Sequence, residues 1–189
     1  NRPIHVAGAN AILNHTEQYA YGHDDSGYHG WTDAYNNQCA PIVFAEEGTS
    51  LKLEAKVCRC QLTISGMISG PGSLQMGDSG YRYGRFVLSC PTNTYSGSTY
   101  INGEKGAFLV AYASNSIPSY AGVTCLYSRV SAVLSEDDST WCEDSLKRLM
   151  LNGTWLNQSM LALDTSNLLS KAYRVDGAAW ESSVPADRL

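Results

Sequence analysis

Thr99-Tyr100-Ile101-Asn102-Gly103-Glu104-Lys105-Gly106-Ala107-Phe108-Leu109-Val110-Ala111-Tyr112-Ala113 places two short β-forming runs on either side of a turn. Asn-Gly between apolar runs is a strong local sign of a tight reversal, because both residues tolerate the positive φ that hairpin turns demand. Read in this way the segment is a β-hairpin. It sets the expectation for the whole chain: a mainly β protein built as an antiparallel sandwich or barrel.

Outward from this segment the same grammar repeats. Short apolar or alternating runs at 41–45, 50–65, 83–89, 99–101, 107–113 and 123–134 predict strands. They are punctuated by Gly70-Pro71-Gly72, Gly77-Asp78-Ser79-Gly80 and Ser96-Gly97-Ser98. After Leu134 the apolar period changes to three and four residues, through Trp141, Cys142, Leu146, Leu149 and Met150. Ser135 before Glu136-Asp137-Asp138 predicts a capped helix start, and Gly153 its stop. Trp155 to Leu163 is a further apolar stretch, and residues 167–174 read as another helical run. The organisation expected is one domain: a loop-rich segment 1–40, a β-rich core 41–134 and a helical segment 135–189 packed on it. No repeat or low-complexity tract is visible.

The 189 residues suffice for one domain with a real core. Charged residues are only 16% of the chain, against about 25% in ordinary soluble domains. Ser, Thr, Asn, Gly and Tyr fill the gap, which suits a broadly hydrogen-bonding recognition surface. The net charge of −5 and the scattered basic residues argue against a nucleic-acid partner. No run approaches the ~18 apolar residues of a membrane-spanning helix. The start at Asn1 fits a chain freed of a signal peptide.

Six cysteines, Cys39, Cys58, Cys60, Cys90, Cys125 and Cys142, predict three disulfides in a secreted protein. Cys58 and Cys60, two apart on a strand, share a face and so would bridge to different partners; Cys142 would pin the helix. Asn-x-Ser/Thr sequons begin at Asn14, Asn152 and Asn157, marking candidate glycosylation sites.

Two candidate sites overlap near the N-terminus. His23, Asp24, Asp25 and His29 bring together imidazoles and carboxylates, the groups that ligate a divalent cation or exchange protons. Their spacing matches no established metal motif. Tyr21, Tyr28, Trp31 and Tyr35 offer amphipathic rings for a sugar or protein partner. Gly77-Asp78-Ser79-Gly80 is similar to the nucleophile motif of trypsin-like serine proteases, but a nucleophile also needs its base and orienter, and no such constellation is present. Glu46 to Leu53 resembles the entry strand of an immunoglobulin-type sandwich, without that family's Cys-Trp-Cys framework.

The functional expectation is recognition or assembly outside the cell. The chain reads as a filament or coat subunit, or as a module binding glycan or protein at a cell or particle surface, with homo-oligomers included and no cofactor implied. The alternatives are a small secreted hydrolase using the His23-Asp24-Asp25-His29 cluster, and a secreted toxin or effector.

Overall fold

The computed structural model describes residues 2–15, 22–23, 29–30, 34–55, 60–77, 84–104, 107–135 and 140–168. The chain winds through successive coils. The first carries β1 (Ile4–Val6), β2 (Ala11–His15), the two-residue strands β3 (Gly22–His23) and β4 (His29–Gly30), and β5 (Ala34–Gln38). The second carries β6 (Ile42–Phe44), β7 (Ser50–Ala55) and β8 (Cys60–Ile64). The third carries β9 (Ile68–Ser69), β10 (Ser73–Gly77) and β11 (Arg85–Leu88). Then come β12 (Thr99–Asn102) with β13 (Phe108–Ala111), and β14 (Val123–Leu126) with β15 (Arg129–Val133). The single α-helix of the described residues, α1 (Glu143–Asn152), precedes β16 (Thr154–Leu156) and β17 (Met160–Asp164).

Each main strand pairs in parallel with its counterpart one coil away. The sheets run β1-β6-β9, β2-β7-β10-β12-β14-β16 and β5-β8-β11-β13-β15-β17. Among the described residues only the β3-β4 ribbon is antiparallel. The molecule is a parallel β-helix, and the antiparallel sandwich or barrel expected from the sequence is corrected.

The pivotal segment shows why. Asn102-Gly103 does turn the chain, but it leads from one sheet into another and closes no hairpin. β12 lies between β10 and β14, and β13 between β11 and β15. The Gly103 N–H donates to Leu126 O at 2.8 Å, carrying the ladder around the corner to the next coil. A Cβ at Gly103 would stand 2.5 Å from both Ser128 Cβ and Tyr127 O, so only glycine lets the coils close here.

What holds the coils is vertical stacking of inward side chains. Leu51, Leu74, Thr99 and Val123 form one column at steps of 23, 25 and 24 residues. Leu53, Met76, Ile101 and Cys125 form the next, topped by Trp155. From the third sheet Leu62, Phe86, Leu109 and Val130 face them. All but the topmost Trp155 are buried. A coil-length repeat therefore exists, where the sequence showed none: apolar character recurs while residue identity and connector length do not.

Buried polar groups are satisfied between coils. Asn93, 3% exposed, accepts the Ile68 N–H at 2.8 Å and donates to Ser116 O at 3.0 Å, joining three turns of chain. Tyr95 is buried beside Thr99, its hydroxyl 2.6 Å from Thr99 Oγ1. Burial pushes the Tyr95 phenol far above its ordinary range.

The helix begins at Glu143, with Cys142 as its N-cap. Ser135 lies before it and residues 136–139 fall outside the described residues. Leu146, Leu149 and Met150 face the core, and Trp141 donates its indole N–H to Ala111 O at 3.0 Å. Trp155 to Leu163, part of the expected helical segment, instead supplies β16 and β17. Both extend existing sheets, so local apolarity is spent on a coil.

The expected disulfides are corrected as well. Among the described residues there is no disulfide: Cys39, Cys90, Cys125 and Cys142 are thiols. Cys58 lies outside the described residues, and Cys60 opens β8. Parity in the sequence suggested bridges, but the fold spends Cys125 as an ordinary core residue and leaves Cys142 exposed at the helix start. No helix of the described residues is long and apolar enough to cross a membrane.

Candidate functional site at the sheet corner

The corner between the second and third sheets carries the most chemically distinctive surface. In the last three described coils the two sheets are connected by residues 103–107, by Tyr127-Ser128 and by Asn157 to Ser159. Stacked on one another, these turns form a groove of about 370 Å³ lined by Phe108, Tyr127, Ser128, Arg129, Gln158 and Met160.

Its floor is fixed by hydrogen bonds. Ser128 is buried and donates its hydroxyl to Ala107 O at 2.5 Å, one coil below. The Ser128 N–H donates to Ser159 Oγ at 3.2 Å, and Ser159 in turn donates to Leu156 O at 2.5 Å. The Met160 N–H reaches Ser128 O at 3.1 Å. Three successive turns are thereby locked together, which pre-organises whatever projects from them.

The projecting side chains are exposed and held on unusual backbone. Tyr127, Asn157 and Gln158 have φ of 50°, 52° and 62°, a region that asparagine tolerates but that costs tyrosine and glutamine about 1 kcal/mol or more. Non-glycine residues held there concentrate at functional sites. Tyr127 is 53% exposed and Met160 54%.

Alternation along the third sheet supplies the cation. Leu109 pairs with Val130, so Phe108 and Arg129 stand side by side on the outer face. The Arg129 guanidinium lies over the Phe108 ring, 4.1 Å from its centroid, as cation–π attraction favours. Arg85 pairs with Phe108 from the coil below, giving an outward column of Arg85, Phe108, Arg129 and Met160. The Nε of Arg85 is buried and makes no hydrogen bond among the described residues. Beside this column Val87, Val110 and Val133 are nearly fully buried and form a second apolar cluster with Phe108.

The candidates named from sequence lie elsewhere. His23 and His29 are direct cross-strand partners in the β3-β4 ribbon. Asp24, Asp25, Tyr21, Tyr28 and Trp31 lie outside the described residues, and Tyr35 pairs with Gln61 on β5. Among the described residues no three His, Cys, Asp or Glu side chains gather as a cation would need. Of the sequon asparagines, Asn14 lies on β2 beside Glu54, and Asn152 ends α1 with its amide donating to Arg148 O at 2.7 Å. Asn157 is exposed, next in sequence to Gln158 of the groove.

Phe108, Tyr127, Arg129 and Gln158 carried no signal in the sequence, because the coil spacing that brings them together was not visible there. Compared with known protein families, curated proteins and solved structures, the chain matches none.

Proposed function

We propose that the protein is an extracellular recognition module that holds a glycan chain along the corner between its second and third sheets. The observation carrying this reading is the groove itself. An exposed tyrosine, an arginine laid over a phenylalanine and a glutamine amide converge there on backbone fixed by the hydroxyls of Ser128 and Ser159. Rings that present a flat apolar face with a polar tip suit sugar rings, and the neighbouring amide and guanidinium supply directed donors. The low density of charge and the three sequons are in keeping with an extracellular setting.

A glycan array probed with the native protein and with a Tyr127→Ala/Arg129→Ala variant tests the proposal. Both side chains are exposed, so the variant keeps its fold, which circular dichroism checks. Retention of a defined set of glycans by the native chain, weakened at least tenfold in the variant, is expected. A blank array, or binding unaffected by the double substitution, contradicts the reading.

A further inference from the structure

We propose that His23 and His29 form a binding site for one Cu²⁺ ion on the β3-β4 ribbon. The ribbon shares no residue with the corner groove, so the site is independent of the glycan reading. β3 and β4 make a two-stranded sheet of their own, hydrogen-bonded to no other strand among the described residues. Each strand has two residues, and the register sets Gly22 opposite Gly30 and His23 opposite His29. So short a ribbon is marginal by itself. Cross-strand side-chain pairs are what stabilise such a ladder, and glycines supply none. The two histidines are therefore the one side-chain pair of the ribbon among the described residues.

Residues directly opposite one another on an antiparallel pair share a face, with Cβ atoms roughly 4.5–5.5 Å apart. A metal–imidazole bond is about 2.0–2.1 Å long, so rings rooted that close together can converge on one ion. Two neutral imidazoles have little to hold each other by. A cation between them turns the pair into a clasp across both strands, and its binding energy becomes folding energy for the ribbon. Gly22 and Gly30, the other register pair, carry no side chain to crowd the ion.

The donor set selects the metal. Among the described residues no group of three His, Cys, Asp or Glu side chains builds the closed cage of a structural Zn²⁺ or a Ca²⁺ site. Two imidazole nitrogens, with water in the remaining positions, suit the tetragonal preference of Cu²⁺, the most tightly held of the divalent first-row ions at nitrogen sites. Oxygen-seeking Mg²⁺ and Ca²⁺ gain nothing from imidazole.

Cu²⁺ titrated into the full chain, followed by calorimetry and by electron paramagnetic resonance, tests the site. The chain holds four histidines, so His5→Gln/His15→Gln serves as the control for His23→Gln and His29→Gln. One Cu²⁺ per chain is expected, with two imidazole nitrogens in its equatorial plane. His23→Gln and His29→Gln should each remove one nitrogen from the spectrum and weaken binding at least tenfold. The control should change neither, and excess Ca²⁺ or Mg²⁺ should not displace the ion. Circular dichroism of the metal-free proteins checks that every variant is folded, and the nitrogen count of the native chain needs no variant. The proposal is overturned by no binding of Cu²⁺, by a native spectrum with fewer than two nitrogens, or by binding that His5→Gln/His15→Gln weakens as much as His23→Gln does. Zn²⁺ held as tightly as Cu²⁺ overturns the choice of metal.

Discussion

Cys125 shows how one residue can mislead a sequence reading and still be physically well placed. It occupies the inward column between Ile101 and Trp155, and burial pushes its thiol up to about 11 from an ordinary 9.0. Folding favours the protonated thiol, so between those values the unfolded chain binds fewer protons than the native one. Stability should therefore fall as pH rises from about 9 to 11, by about 2–3 kcal/mol in total. Urea unfolding at pH 8 and pH 11 checks this against Cys125→Val, which should remove most of that difference while leaving the losses due to other groups. An identical pH dependence in both proteins contradicts the assignment. Counting cysteines could not reveal this, since parity is the same for bridged and unbridged thiols. Tyr127 was illegible for a different reason: its importance lies in its backbone angle and its neighbours one coil away, neither of which is local information.

At the level of elements, the positions of β6, β7, β11, β12, β13 and β14 were legible, because turn residues and short apolar runs mark strands whatever their partners. Their pairing was not. An Asn-Gly turn serves a corner as well as a reversal, and runs such as Phe108 to Ala111 suit a parallel strand buried on both faces. The glycines record the true geometry. Gly72 lies against the Phe44 ring, and a Cβ on Gly97 would overlap the Gly72 carbonyl of the coil below. Gly97→Ala should accordingly cost about 1–3 kcal/mol through overpacking of adjacent coils. Gly8, where an added Cβ meets nothing within 4 Å, should accept alanine with no loss. Urea midpoints of the two variants make the comparison, and equal midpoints would show that the coils are not in contact at Gly97. The helix was legible as an apolar stripe but shifted, since its cap is Cys142, whose exposed thiol a Ser145 hydrogen bond holds below its usual range.

For the whole molecule, stacking is both the source of stability and the origin of the site. Each coil buries its apolar residues only against its neighbours, so the columns and the corner groove arise from the same register. That register is the central claim, and a pair of engineered cysteines tests it most directly. Gln75 and Tyr100 are outward partners on adjacent parallel strands, whereas Tyr100 and Phe108 lie in different sheets. Mild oxidation followed by peptide mapping under non-reducing conditions should find a cross-link in Gln75→Cys/Tyr100→Cys and none in Tyr100→Cys/Phe108→Cys. The opposite outcome, a cross-link across the Asn102-Gly103 turn and none between positions 75 and 100, would restore the hairpin and contradict the β-helix.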